Sequence, residues 1–177
     1  MRRKAYWLIG GGVIAAIASF MAIPALAAGA KVVVSTSGFT VFADPYGNGA
    51  ANPAAEVSGR VHAVELPDHK TIVTLDVTGL PAGREFGAHV HKLVCSDTKA
   101  GGHYQNVSGG ASDPAFANAQ NEIWLDFTTN AAGHGRAQAV VDWSIRPDGA
   151  NAVVIHDHHT SDIGAAGPKL ACINVDF

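Results

Sequence analysis

Basic residues are scarce in this chain. Lysine and arginine number 12, and Arg2, Arg3 and Lys4 account for three of them. From residue 28 onward only nine basic residues stand against 15 acidic ones, so that part of the chain has a net charge near −6. Proteins that bind nucleic acid present clustered lysine and arginine to the phosphates. The sequence has no such stripe, which argues against nucleic acid as a partner.

Charged residues of both signs make up only 15% of the chain, and the mean hydropathy is +0.14, which suggests a membrane protein at first. Most of the apolar excess, however, lies at the N-terminus. A basic start precedes an apolar run from Ala5 to Ile23, and Pro24 and Ala25-Leu26-Ala27 follow. This arrangement is typical of a cleaved secretory signal peptide. An uncleaved membrane anchor is the alternative, since the run is nearly long enough to span a bilayer.

We therefore expect two parts in the chain. Residues 1–27 are predicted to be the signal peptide, and residues 28–177 are predicted to form one exported domain, in the cell envelope, the periplasm or outside the cell.

Cysteine is also rare, with only Cys95 and Cys172 present. An even pair in an exported chain is typical of a disulfide, and two free buried thiols are the alternative. The bond would enclose 77 residues, a loop whose closure stabilises a fold by about 4–5 kcal/mol. It would connect the C-terminal strand to the middle of the domain.

Helical periodicity is absent after the N-terminal run, and short stretches that alternate apolar and polar residues take its place. A long segment from Ser96 to Gln120 is rich in Gly, Ser, Asn, Asp and Pro, and irregular segments of that length are usually functional or disordered. About eight strands joined by irregular connections predict an all-β sandwich or barrel. The predicted strands are 31–42, 56–65, 71–77, 86–93, 122–128, 136–143, 151–155 and 170–177.

Nine histidines are many for a chain so poor in charge. His89 and His91 lie two residues apart, so on a strand their side chains point to the same face, although an exposed polar face has the same pattern. His103 follows two glycines in the long segment. His156 ends an apolar β-branched run, where it is either a hydrogen-bonded core residue or a ligand. Three or four imidazoles without thiolate or carboxylate alternatives nearby suit copper or zinc.

In their order and spacing, these segments resemble the copper, zinc superoxide dismutases. Gly87-Ala88-His89-Val90-His91 is similar to the strand that carries two copper ligands in that family. Gly102-His103-Tyr104 resembles its bridging-histidine segment, and Val153-Val154-Ile155-His156-Asp157 resembles the strand with the fourth ligand. Gly167-Pro168-Lys169-Leu170-Ala171-Cys172 is similar to the terminal G-x-R-x-A-C motif, with Cys95 at the position of its disulfide partner.

The resemblance extends from about Lys31 to Phe177. It implies an eight-stranded Greek-key β-barrel or sandwich with the disulfide Cys95–Cys172. It also implies one copper ion per chain, bound by four imidazoles, and dismutation of superoxide to dioxygen and hydrogen peroxide. His103 would release the copper or supply a proton in the reduced state. The implied copper ligands are His89, His91, His103 and His156.

The sequence departs from the family at the zinc site. No histidine lies between Tyr104 and Trp124, and Asp113 and Asp126 have no imidazole beside them, so zinc is not expected. This resembles the copper-only branch of the family. Another group must then orient His103 from its far nitrogen. Glu122 is the candidate, and a solvated glutamate at the start of a strand is the alternative.

Two further departures affect access to the copper. The segment between His156 and the terminal motif is short, so the copper should be more open to solvent. Lys169 replaces the active-site arginine of the family, which keeps the positive charge for superoxide but loses the planar fork that orients an anion. His158 and His159 could line the copper site, bind a second metal, or lie at a solvated loop tip.

Three hypotheses follow. The first is a copper-only superoxide dismutase. The second is an extracytoplasmic copper-binding or buffering protein with little or no turnover. The third is a structural β-domain that has lost the activity. The sequence leaves both a monomer and a homodimer open, and a membrane contact is expected only through an uncleaved signal.

Overall fold

The computed structural model describes residues 29–36 and 38–177. The predicted signal peptide lies outside the described residues. Within them, no helix is long and apolar enough to cross a membrane. The described residues form nine strands: β1 (Lys31–Ser35), β2 (Thr40–Val41), β3 (Ser58–Glu65), β4 (Thr71–Thr78), β5 (Glu85–His91), β6 (Phe127–Thr128), β7 (Gly135–Val141), β8 (Ala152–His156) and β9 (Lys169–Asn174).

The strands form two antiparallel sheets. The first has the order β1-β3-β4-β7, and the second has the order β2-β9-β8-β5-β6. In the first sheet, Val73, Leu75 and Val77 are buried and alternate with more exposed residues of β4, as expected for a strand with one face on the core. The prediction of an all-β sandwich is confirmed.

The strands β5 and β8 are buried on both faces. Ala88 and Val90 belong to the hydrophobic core, while His89 and His91 point to the opposite face and are also fully buried. Side chains alternate between the faces of a strand, so the sequence A-H-V-H places both imidazoles together on the far side of the sheet.

The predicted disulfide between Cys95 and Cys172 is present, with a Cα–Cα distance of 5.6 Å. Cys172 lies on β9, and Cys95 follows β5. Both sulfurs belong to a small buried apolar cluster that also contains Ala100 and Val154. The bond therefore fixes the segment that leaves β5 against the second sheet.

Apart from shifts of up to three residues at strand ends, two predicted strands differ from those observed. Residues 31–42 form two strands, β1 and β2, which pair in different sheets. Of residues 122–128, only Phe127–Thr128 is a regular strand, although Val90 and Ala88 bond to Ile123 and Leu125. Residues 122–126 do not extend this strand because they share the edge of β5 with a second segment, in which His103 pairs with His91.

Candidate metal centre

Four imidazole rings meet where β5, β8 and the long irregular segment come together. The potential ligand nitrogens of His89, His91, His103 and His156 all lie within 4.8 Å of one another. This is the one group of three or more metal-ligating side chains in the part of the chain that the structure describes. The sequence prediction had placed these four residues at a common site, and the fold brings them together.

A local irregularity in β8 accompanies the position of His156. The register between β8 and β9 shifts between Ile155 and His156, and such bulges redirect side chains next to functional sites. Gly87 lies opposite His156 on β5. A side chain at Gly87 would clash, because its Cβ would lie 2.5 Å from the His158 carbonyl oxygen and 2.7 Å from the Ala166 Cβ.

Three of the rings donate a hydrogen bond from Nδ1 to an outer acceptor. His91 Nδ1 lies 3.0 Å from the Gly101 carbonyl oxygen, and His156 Nδ1 lies 3.2 Å from that of Gly167. His103 Nδ1 lies 2.8 Å from Oε2 of Glu122. Since these oxygens can only accept, the proton of each neutral ring is on Nδ1 and the Nε2 lone pair is free.

His89 has the opposite tautomer. Its Nε2 lies 2.7 Å from Oγ1 of Thr160, and the Thr160 hydroxyl donates its own proton to Oδ1 of Asp126 at 2.7 Å. The hydroxyl must therefore accept from His89 Nε2, which leaves Nδ1 of His89 as the free nitrogen. The four free nitrogens are His89 Nδ1 and Nε2 of His91, His103 and His156.

These free nitrogens suit a metal ion. His89 Nδ1 is the single buried side-chain polar atom without a hydrogen-bond partner among the described residues. A buried polar atom without a partner is costly and calls for an explanation, such as an ion. The Nε2 atoms of His91 and His156 are 3.2 Å apart, which is compatible with bonds of about 2 Å to one shared ion. An all-imidazole donor set suits copper and zinc alike.

Burial keeps three of the rings neutral. It lowers the pKa of His89 and His91 well below 6.5, and the charges of neighbouring rings lower it further. Burial also lowers the pKa of His156 to about 4, although the hydrogen bond to Gly167 opposes the change. A neutral imidazole is the form that binds a metal, so at neutral pH these three rings are ready to act as ligands.

Glu122 is 1% exposed and therefore not a solvated side chain. Its Oε2 accepts hydrogen bonds from His103 Nδ1 and Trp124 Nε1, both at 2.8 Å, and its Oε1 accepts one from Gln105 Nε2 at 2.9 Å. Burial alone would raise the pKa of this carboxyl, but the hydrogen bonds from His103, Trp124 and Gln105 outweigh burial and lower it. The carboxylate therefore faces His103 in its ionised form.

Several residues of this outer layer were not predicted from the sequence. Gln105 and Trp124 support Glu122, and Thr160 supports His89. Asp126 was expected to have no imidazole beside it, but this was wrong, because it lies 3.3 Å from Nδ1 of His159. Its carboxylate also accepts hydrogen bonds from Thr160 and from the backbone N–H of Ala88. For Trp124, the spacing from Glu122 could have served as a signal, since residues two apart in an extended segment share a face.

Lys169 lies beside the histidines. Its Nζ donates to the carbonyl oxygens of Lys99, at 2.8 Å, and Gly101. Burial and the charge of Lys99 lower the pKa of Lys169. Because Gly101 also accepts from His91, one carbonyl connects the lysine to a candidate ligand.

The turn that presents this carbonyl is strained. Thr98, Lys99 and Ala100 have φ values of 41°, 51° and 67°, and Gly101 has a φ of 63°. Residues with a Cβ rarely adopt such left-handed conformations, and strain of this kind persists only where the surroundings enforce it. Ala100, which is fully buried beside the disulfide, and Lys169 hold this turn in place.

An open pocket of about 320 Å³ gives access to the site. His91, His103, His156 and Lys169 lie on its wall. Glycine and alanine form much of the rest of the lining, including Gly164, Ala165, Ala166 and Gly167. His158 and His159 are not part of the four-histidine group. Their side chains are 67% and 55% exposed, and they lie 3.3 Å from Asp157 and Asp126 respectively.

The fold and the site together define a disulfide-bonded β-sandwich with a metal site built from four imidazoles. Residues 57–175 match the family described as Copper/zinc superoxide dismutase (SODC), and the chain belongs to this family.

Among solved structures, the chain is similar to the crystal structure of the clock protein EA4. The two are 22% identical, the match covers 83% of this chain and 92% of that chain, and the TM-score is 0.52. At this identity the likeness concerns the fold alone. No curated protein matches the chain.

Proposed function

We propose that the chain binds one copper ion through its four convergent histidines and dismutates superoxide to dioxygen and hydrogen peroxide, without a zinc site. Membership of the superoxide dismutase family supports this class of activity. The observation that carries the proposal is the set of four inward nitrogens, each the unprotonated atom of a ring whose other nitrogen is already hydrogen-bonded.

When bound, copper would supply the one-electron exchange that oxidises one superoxide and reduces the next. The four histidines would hold it with neutral rings, and the hydrogen bonds at their outer nitrogens keep those rings from turning. His103 is the most exposed of the four rings, since its side chain is 16% exposed whereas His89, His91 and His156 are buried. Its Nδ1 proton is held by the Glu122 carboxylate.

Glu122 supports the zinc-free part of the proposal. In the two-metal enzymes that the sequence resembles, the counterpart of His103 bridges to zinc. Here the outer nitrogen of His103 is already bonded to a buried carboxylate, which supplies the negative partner that a metal-ligating histidine usually has. A zinc ion at the same nitrogen would have to displace this proton and its hydrogen bond.

Lys169 would attract the substrate. The chain from residue 28 onward has a net charge near −6, so an anion needs a local positive charge to approach. Two of the three Nζ protons of Lys169 are directed to carbonyl oxygens, which leaves one for an anion in the pocket. Because the side chains of the pocket wall are small, His103 and Lys169 are accessible from the pocket.

We also propose that the domain is exported after cleavage of residues 1–27. The disulfide supports this, because such bonds persist mainly in oxidising compartments.

Metal stoichiometry tests the proposal. The domain of residues 28–177 is loaded with copper and zinc together, and the bound metals are counted by native mass spectrometry. One copper and no zinc per chain is the expected result. A stoichiometric zinc ion beside the copper would contradict the zinc-free site. One copper without superoxide turnover would instead favour the copper-buffering function.

A further inference from the structure

Trp124 is placed to control the carboxylate that faces His103. Its indole N–H donates to Oε2 of Glu122 at 2.8 Å, and this is the same oxygen that accepts from His103 Nδ1. Gln105 donates to the other oxygen, and the Gln105 amide is itself fixed by the backbone N–H of Gly109 at 3.0 Å. Two donors that are not metal ligands, Trp124 and Gln105, therefore restrict how far the Glu122 carboxylate can turn.

Trp124 also contacts a second ring of the centre. Its ring lies edge-on to the ring of His89, with 6.0 Å between centroids and 75° between planes. His89 and His103 are stacked with their centroids 3.9 Å apart. The Trp124 indole therefore contacts the His89 ring, and it donates a hydrogen bond to Glu122, the acceptor of the His103 ring. The backbone supports this position, since Trp124 pairs with His89 and Glu122 pairs with Gln105.

Without the indole N–H, Oε2 of Glu122 would keep one donor instead of two. The carboxylate would then be held by Gln105 and His103 alone, so its orientation and that of the His103 ring would be less tightly fixed. Loss of the direct hydrogen-bond partner of a metal-binding histidine changes metal affinity or activity by about 10- to 100-fold. Trp124 acts on that partner, Glu122, so we expect an effect at the lower end of this range.

From these contacts we propose that Trp124 is a positioning residue of the metal centre, which fixes the orientation of His103 through Glu122. The inference rests on the proposed function only in that the four histidines bind copper. It does not require that the copper turns over superoxide.

The test removes only the donor. Trp124 is replaced by a tryptophan analogue in which sulfur takes the place of the indole N–H, and Trp124→Phe provides a genetically simple second variant. The matched control makes the same changes at Trp143, a half-buried tryptophan whose Nε1 donates to the Gln120 carbonyl at 3.0 Å. Thermal unfolding of each variant reports on the fold.

Two readouts follow. In the metal-free protein, NMR measures the exchange of the His103 Nδ1 proton with water. In the copper-loaded protein, electron paramagnetic resonance and chelator competition measure the copper environment and the Kd. At Trp124 we expect faster exchange of that proton, an altered copper spectrum and a Kd weakened about tenfold. At Trp143 we expect none of these changes.

An unchanged exchange rate, spectrum and Kd in the sulfur analogue at Trp124 would overturn the inference. Equal effects at Trp124 and Trp143 would also overturn it, since they would reflect general loosening. Failure of the proposed function is separate: a wild-type protein that binds copper but consumes no superoxide leaves both readouts measurable. If the wild type binds no copper, the inference falls together with the proposed function, because Trp124 then has no metal ligand to position.

Discussion

The Nδ1 atom of His103 lies 2.8 Å from Oε2 of Glu122, whereas the outer nitrogens of the other three rings are hydrogen-bonded to a hydroxyl or to carbonyl oxygens. His103 is thus distinguished from its neighbours by a charged partner. Hydrogen bonds to a charged group are stronger than neutral ones, so this ring should depend most on its acceptor.

The substitution Glu122→Gln should therefore weaken copper binding. It keeps the shape of the side chain but removes the charge that faces His103, and we expect a Kd about 10- to 100-fold higher. Competition with a copper chelator measures it. Glu85→Gln is the matched control, because Glu85 is an exposed carboxylate on the strand that carries two of the histidines. Equal copper affinity in both variants and the wild type would contradict the role of Glu122.

The fold was largely predictable from the sequence because most strands alternate apolar and polar residues. The predicted strands 71–77 and 136–143 differ from β4 and β7 by at most two residues at either end. The split of residues 31–42 was missed, because both halves are rich in strand-forming residues and only tertiary pairing separates them. For residues 122–126, competition with His103 for the edge of β5 is likewise a tertiary effect.

The candidate site was predictable in its inner layer and at Glu122. The H-x-H pair, His103 and His156 stand in recognisable motifs, and Glu122 was the candidate partner of His103, which it contacts. The other residues that orient the rings stand in no such motif, because their roles depend on hydrogen bonds between distant segments: Thr160 reaches His89 across 71 positions, and Gln105 reaches Glu122 across 17. Neither a threonine nor a glutamine in an irregular segment has a pattern that indicates such a contact.

Lys169 should contribute both charge and position. In Lys169→Met, we expect the second-order rate constant for superoxide to fall about tenfold and its dependence on salt to weaken, because the local attraction is lost. Lys169→Arg should retain the salt dependence. Rapid-mixing measurements at several ionic strengths provide the test.

The control for this experiment is Lys70→Met. Lys70 lies next to β4, pairs with Asp68 and Asp142, and does not line the pocket of the metal centre. A loss of rate and salt dependence as large as that of Lys169→Met would mean that only net charge matters. An unchanged rate constant and salt dependence in Lys169→Met would mean that the lysine does not guide the substrate.

The metal-free protein should lose stability as the pH falls. The pKa values of His89, His91 and His156 are lowered in the folded state, that of His156 from 6.5 to about 4. Between these values the unfolded chain binds more protons, so the free energy of unfolding is highest above pH 6.5 and decreases toward pH 4. Urea unfolding at a series of pH values measures the slope. His156→Gln should make the slope less steep, and an equally steep slope in that variant would contradict the contribution of His156.

The disulfide should stabilise the fold and the left-handed turn together. Replacing Cys95 and Cys172 by alanine opens a 77-residue loop and should cost about 4–5 kcal/mol of unfolding free energy. Ala100 packs in the same cluster, so the turn should loosen and the Gly101 carbonyl should hold His91 less firmly. We expect weaker copper binding as well as lower stability. Lower stability with an unchanged copper Kd would show that the turn keeps its place without the disulfide.

The most direct test of the central claim is the rate of superoxide decay per bound copper in residues 28–177, compared on one preparation with the metal-free protein and with His156→Gln. The account predicts fast decay that is proportional to bound copper, is unaffected by added zinc, and is lost in His156→Gln. Copper bound at one ion per chain with no more decay than the metal-free protein would contradict it and identify the chain as a copper-binding member of the family without turnover.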